Sequence, residues 1–349
     1  MKKFSFLIII LLWSCVDPYE VDIEEGVQLL TIEGMVTNGP GPHLVKLSRS
    51  DTYGSIYEGL VRPVAGATVI VRDQTGKVIF LEEDLENRGN YYTSADFSAE
   101  VGNTYTLQIQ LVDGTVYSSL PETLPSVPVI QEINYQVKKI PVEGELNPDS
   151  GVQFLVDIED PEDEDNYYYW KKGPSVYILE TRPDLYTLPP PSREPAPKDC
   201  CISCYRSEQV ANYSIFIAND DTFNGLSSRI PAAFVLDDGL RFVNQYRIDI
   251  EQYSISAGAY RFLRLVKQQV ELSGSVFDPP PANIRGNMVS LDHPDEVVLG
   301  YFMAAGETSQ RVYVDATKLD FVQGRAIIAD DCRVVDGAQT ERPSDWNPK

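Results

Sequence analysis

The sequence predicts a mainly β protein, with an N-terminal β-sandwich followed by a larger β-rich domain that carries one main α-helix. Three observations lead there. Short runs of β-branched and aromatic residues recur along the chain, each bounded by glycine, proline, asparagine or aspartate. Twenty tyrosines stand beside only two histidines and four methionines, a balance that suits strands and aromatic surfaces. A single stretch has clear helical periodicity, and 349 residues with 43% hydrophobic content can fill two cores.

The N-terminus comes first. Lys2 and Lys3 precede an apolar run from Phe4 to Leu12, and Ser14 then stands before Cys15. About 20 apolar residues are needed to span a bilayer as a helix, so this run reads as a cleaved signal, residues 1–14, with lipid on Cys15 as the anchor. Residues 15–26 form an acidic tether, because Asp17, Glu20, Asp22, Glu24 and Glu25 have no basic residue among them. Leu29 to Thr37 then reads as a strand that breaks at Asn38-Gly39-Pro40-Gly41-Pro42, and His43 to Ser48 resumes it. Ala67 to Asp73, a Gln74-Thr75-Gly76-Lys77 turn and Val78 to Leu81 form a hairpin. Gly89 to Tyr92, Thr104 to Val112 and Thr115 to Ser118 complete a sandwich over residues 27–120. The prolines of Pro121 to Pro128 mark a linker at 121–128.

The larger domain covers residues 129–349. Val129 to Val137, Val152 to Asp157 and Tyr167 to Trp170 read as strands, and a proline-rich insertion follows at 171–204. A helix is expected near 256–272: Ser256 can cap it, Ala259, Leu263, Val266 and Val270 share one face, and Gly274 with Pro279-Pro280-Pro281 ends it. Ile284 to Leu291, Glu296 to Ala305 and Ser309 to Val314 return to strand.

Fifty-two acidic residues against 29 basic ones give a net charge of −23, which argues against nucleic acid or bare anionic headgroups as partners. Beyond Cys15 there are Cys200, Cys201, Cys204 and Cys332. In an exported chain disulfides are the default, and four cysteines allow three pairings. Adjacent Cys200 and Cys201 are an unusual pair, which favours one of the cluster bonding Cys332 and the other two closing locally. Zinc is the alternative, because Cys201 and Cys204 have ligand spacing and Cys200 with Cys332 can complete a tetrahedron.

The run Asp157 to Asn166 holds seven carboxylates, and Asp157, Asp160, Asp163 and Asp165 are weak calcium candidates. Pro161 and the missing central glycine spoil an EF-hand loop, so a solvated turn is the simpler reading. No nucleophile elbow, phosphate loop, HExxH or dinucleotide fingerprint occurs, and His43 and His293 are the two histidines a triad can draw on. A catalytic site and a cofactor are therefore not expected. Binding is the stronger class. Tyr177 and Tyr186 in the insertion, with Tyr168 and Trp170 beside it, are the expected ligand or partner contacts, since aromatics on a stiff loop grip at low entropic cost.

Two resemblances sharpen this reading. The order Pro63-Val64-Ala65-Gly66-Ala67-Thr68-Val69, Gly76, Gly89-Asn90-Tyr91 and Val101-Gly102-Asn103-Thr104-Tyr105 resembles immunoglobulin-like modules of the carboxypeptidase regulatory type. Glu33 to Ser50, Asp157 to Trp170, Ser273 to Asn287, His293 to Phe302 and Asp331 to Trp346 together resemble a large family of Bacteroidota outer-membrane lipoproteins of unknown function. That resemblance implies a surface-exposed lipoprotein, often encoded beside a TonB-dependent receptor, which serves nutrient uptake as an accessory. It supplies no catalytic residues. The family pattern has a close cysteine pair where this tail has the single Cys332, so no disulfide scheme is carried over. A surface hydrolase acting on peptide or glycan, and a structural or adhesive lipoprotein, are the alternatives.

Overall fold

The computed structural model describes residues 28–50, 62–141, 148–162, 164–209, 214–271, 284–320 and 324–348. The signal 1–14, Cys15, the tether 15–26 and Asp163 lie outside the described residues. In chain order the strands are β1 (Leu30–Thr37), β2 (Leu44–Arg49), β3 (Arg62–Pro63), β4 (Thr68–Asp73), β5 (Val78–Glu83), β6 (Asn90–Tyr92), β7 (Thr104–Gln110), β8 (Val116–Ser119) and β9 (Glu122–Thr123). Then come β10 (Ile130–Ile140), β11 (Asp149–Glu159), β12 (Tyr167–Glu180), β13 (Ser203–Gln209), β14 (Phe216–Asn219), β15 (Ser227–Leu236) and β16 (Gln245–Ser254). The helix α1 (Ala257–Glu271) follows, and β17 (Met288–Ser290), β18 (Leu299–Asp315) and β19 (Ala338–Gln339) complete the order. The chain is mainly β, with one α-helix among the described residues.

Strand pairing runs continuously through β17-β8-β7-β4-β5-β6-β2-β1-β18-β16-β12-β13-β19, and β10-β11-β15 form a separate sheet. Alternation along β7 (Tyr105, Leu107 and Ile109 inward) and β1 (Leu30 and Ile32 inward) fills a first core with Val45, Leu47, Val69 and Val71. A second core packs Val152, Phe154 and Val156 of β11 and Val235 of β15 against Trp170, Tyr177, Ile248 and Ile250. The third lies beneath α1, where Ala259 and Leu263 meet Tyr253, Ile255, Tyr301 and Ala305. Val270, expected on the same stripe, is exposed: α1 lies on the sheet by its first turns.

β18 differs from expectation in length and in role. Glu296 to Ala305 and Ser309 to Val314 read as two strands, but Gly306 pairs with Ser254 and carries the strand through without a break. Its first half, Leu299 to Ala305, runs parallel to Thr31–Thr37 of β1. Its second half runs antiparallel to β16, from Gly306 opposite Ser254 to Asp315 opposite Gln245. Phe302 and Ala304 enter the first core, Tyr301 and Ala305 the third, and Val314 the second. β17 likewise pairs with β8. The sandwich expected at 27–120 is therefore completed by strands from beyond residue 280. The stretch read as a linker at 121–128 joins the same sheet, since Thr123 of β9 pairs with Thr104.

A buried carboxylate sits where these parts meet. Glu122 is 6% exposed and accepts hydrogen bonds from Ser256 Oγ (2.6 Å), Tyr301 Oη (2.6 Å) and Asn287 Nδ2 (3.4 Å). Ser256 Oγ also accepts the Ala259 amide at 3.1 Å, capping α1. Asn287 exchanges two bonds with the Phe302 backbone, at 2.8 and 2.9 Å. Burial pushes the Glu122 carboxyl above the usual range, although all three donors favour the anion.

Two outcomes are expected at this junction. Gly300 lies opposite Ile32 with φ +88°, and an added Cβ would run into the Ile32 carbonyl. Gly300→Ala should cost more than about 2 kcal/mol in urea unfolding, combining strain with a clash against backbone. For Glu122 the folded pKa is raised, so the folded chain holds the proton to higher pH than the unfolded chain. Wild-type stability therefore falls as pH rises from the ordinary glutamate pKa through the raised one. Glu122→Gln should gain on the wild type in urea midpoint as pH rises above the ordinary glutamate pKa; a difference independent of pH would remove the titration from the account.

Candidate functional site

The insertion is shorter than the sequence suggested, because β12 runs on to Glu180. Gly173 and Pro174 do not end the strand. They sit at a register shift between Lys172 and Ser175, the kind of irregularity at which a proline fits within a sheet. Glu180 pairs with Ser203 of β13, so the connection that projects is residues 181–202.

Its prolines remove backbone donors, and the remaining ones fold it on itself. Leu188 N donates to Glu194 O and Ala196 N to Tyr186 O, both at 2.9 Å, and Lys198 N reaches Pro183 O at 3.1 Å. The result is a two-limbed finger with Pro189–Arg193 at its tip. Its base is fastened to the C-terminal segment. Arg182 N donates to Ile328 O at 2.8 Å, Cys332 N to Cys201 O at 2.9 Å, and Lys198 Nζ forms an ion pair with Asp330. Lys198 also lies over the Tyr186 ring, 4.3 Å from its centre. Buried Thr181 donates its hydroxyl to Cys201 O at 3.2 Å.

The cysteines complete the fastening. Cys204 and Cys332, both buried, form a disulfide across 128 residues of sequence with 5.8 Å between Cα atoms. Cys200 and Cys201 pair with each other. β13 places Cys204 against Cys332, which leaves Cys200 and Cys201 side by side.

The finger and its base expose apolar side chains alongside charged ones. Leu185, Leu188, Ile202, Ile327 and Val334 are between 41% and 69% exposed. All five lie in the two segments that these bonds lash together. Charge is balanced here: Arg182, Arg193 and Lys198 match Asp184, Glu194 and Asp199 within residues 181–202, on a chain of net charge −23. Arg182 and Asp184 bond each other twice, at 2.8 and 2.7 Å. A stiff, neutral, partly apolar projection is suited to contact with another apolar surface.

Of the expected contact residues, Tyr186 alone lies on this projection. Tyr168, Trp170 and Tyr177 are at most 1% exposed, because β12 is flanked by neighbours on both sides and turns these rings into the second core. Tyr168 Oη donates to buried Asp160 at 2.5 Å, Trp170 Nε1 donates to Gln252 Oε1 at 2.9 Å, and Tyr177 Oη accepts from Arg206 at 2.7 Å. They are structural, and their assignment as contacts is corrected. Leu185, Leu188, Ile202, Ile327 and Val334 escaped the sequence reading, which has no signal for apolar residues left outside a core.

The acidic run disperses. Asp157 is gripped by the Arg229 guanidinium at 2.7 and 2.6 Å, which holds its carboxyl below the usual range. Asp160 also accepts the Gly225 amide at 3.2 Å, and Asp165 is exposed. Among the described residues no three His, Cys, Asp or Glu side chains converge as metal ligands would. The two histidines lie in different settings. His43 is buried edge-on to Phe97, burial lowering its pKa, and His293 occupies the turn after β17. Elsewhere the second core holds Lys172, which burial and the neighbouring Arg241 push down to about 8, while Arg241 pairs with Glu208 at 2.7 Å.

Cys332→Ser tests the fastening. Opening a crosslink of this length should cost about 2 to 5 kcal/mol in denaturant unfolding. It should also bring limited proteolysis into residues 182–198 ahead of global unfolding; cleavage rates equal to the wild type would show that the polar bonds hold the finger alone.

No curated protein matches this chain. Residues 16–311 match the family described as a domain of unknown function (DUF4249), and since that match spans most of the sequence, the chain belongs to this family.

Proposed function

We propose that this protein is a surface-exposed lipoprotein of a Bacteroidota outer membrane and a non-enzymatic accessory of a TonB-dependent nutrient transporter. It would act by capturing a ligand or by capping the transporter's outer mouth. Lipid on Cys15 would hold it, and the acidic tether 15–26 would let the folded part reach alongside the barrel. The observation that carries the reading is the finger 181–202. Five exposed apolar side chains stand on segments fixed by a disulfide, an ion pair and backbone bonds. Rigid apolar anchors give up little freedom on binding, so such a surface favours a standing protein contact over a solvated loop. The absence of a catalytic motif from the sequence agrees with an accessory role.

The test is recovery of partners from outer membranes solubilised in mild detergent, using a C-terminally tagged chain. A TonB-dependent barrel should be retained in near-equal amount. Ile202→Asp combined with Ile327→Asp should lower that recovery about tenfold with little change in thermal midpoint, since both side chains face solvent. Recovery of the tagged chain alone, or of the barrel at an unchanged level by the double variant, would count against the accessory reading or against the finger respectively.

A further inference from the structure

The strand β10 is paired along its length with β11, and in the sheet order β10-β11-β15 it is an outer strand. Outer strands present unpaired N–H and C=O groups, and proteins usually interrupt them. The other outer strand of this sheet is interrupted: β15 contains Pro231 and a register shift opposite Phe154 and Leu155. β10 has no proline, and beyond its shift at Ile130/Glu132 it keeps regular register from Glu132 to Ile140.

The two faces of this regular stretch differ. Ile133, buried, and Tyr135 and Val137, partly buried, alternate with Glu132, Asn134, Gln136 and Lys138, of which the charged pair is exposed. Tyr135 packs against the second core. Lys138 and Lys139 are a basic element on a strongly acidic chain.

We propose that this edge binds a second copy of the chain, two β10 strands pairing antiparallel about a two-fold axis at Tyr135. Backbone groups that point to an open edge belong to alternate residues, so a strand pairing with its own copy must oppose residues of like parity. An axis at Tyr135 meets this and places Glu132 opposite Lys138 twice, Asn134 opposite Gln136 twice, and Ile133 opposite Val137 twice. Each face then meets its own kind, with opposite charges paired on the polar face and apolar side chains paired beside the core. An axis at Asn134 sets Glu132 against Gln136, and one at Gln136 sets Ile133 against Lys139, so neighbouring registers lose the match. The self-complementarity is what an isologous contact requires. The product is a six-stranded sheet running through both copies.

Sedimentation equilibrium of the full chain in mild detergent tests this with charge reversal. The wild type should be dimeric at micromolar concentration. Glu132→Lys and Lys138→Glu, each creating two like-charge oppositions, should weaken association about tenfold. The double variant Glu132→Lys with Lys138→Glu should restore it, because the pairs are exchanged and not lost. A monomeric wild type overturns the proposal. So does a dimer indifferent to the single reversals, or a double variant that stays as weak as either single one, since a local folding defect is not repaired by exchange.

Discussion

The structure depends on the pairing of β1 with the first half of β18. It joins Thr31–Thr37 to Leu299–Ala305 in parallel, so nearly the whole chain must fold back before these seven rungs can form. Such distant contacts are slow to reach, because loop closure has to precede any gain from them. Once made, they leave little freedom. The same backbone continues into the ladder with β16, and its side chains enter all three cores. A hinge between a sandwich and a following domain has no place here, because a rigid strand crosses the boundary and packs on both sides of it. Gly300 shows how closely the parts fit, for its left-handed backbone is compatible with this seam in a way that other residues are not.

Polar groups at the boundary reinforce the same restraint. Glu122 collects donors from the residue capping α1, from β18 and from the residue preceding β17, and it is buried against the preference of its charge. A hydrophobic contact tolerates sliding, whereas three directional bonds to one carboxylate specify a single arrangement. The partly buried Arg241–Glu208 pair stands beside buried Lys172. Neither group touches the finger, which supports reading them as determinants of specificity in folding.

Much of this architecture was legible in the sequence, and the reasons are local. The hairpin at Gln74-Thr75-Gly76-Lys77 announced itself because Gly76 takes a positive φ and Asp73 accepts the amides of Thr75 and Lys77. Ser256 was identifiable as a cap for the same kind of reason. The fusion of the last strands was hidden, since Gly306 resembles punctuation and the partner that carries the strand across it lies on β16. Tyr168, Trp170 and Tyr177 were misread because an aromatic run between a charged turn and a proline-rich stretch looks like surface; whether a strand is central or marginal is decided by neighbours far away in sequence. The finger's base was beyond reach for the same reason. Lys198 and Asp330 are 132 residues apart, and nothing in either neighbourhood announces the other.

The seam at β18 and the fastening of the finger bear on one another through the cost of association. A surface contributes to affinity only what is left after its own ordering, and a mobile proline-rich loop of this length would spend much of its contact energy on being fixed. Here the ordering is done during folding. Cys332 ties the finger to the second core, and β18 ties that core to the first. In the proposed function, a body held together in this way would present the finger to a membrane partner already ordered, so that modest apolar contacts would suffice for a lasting complex.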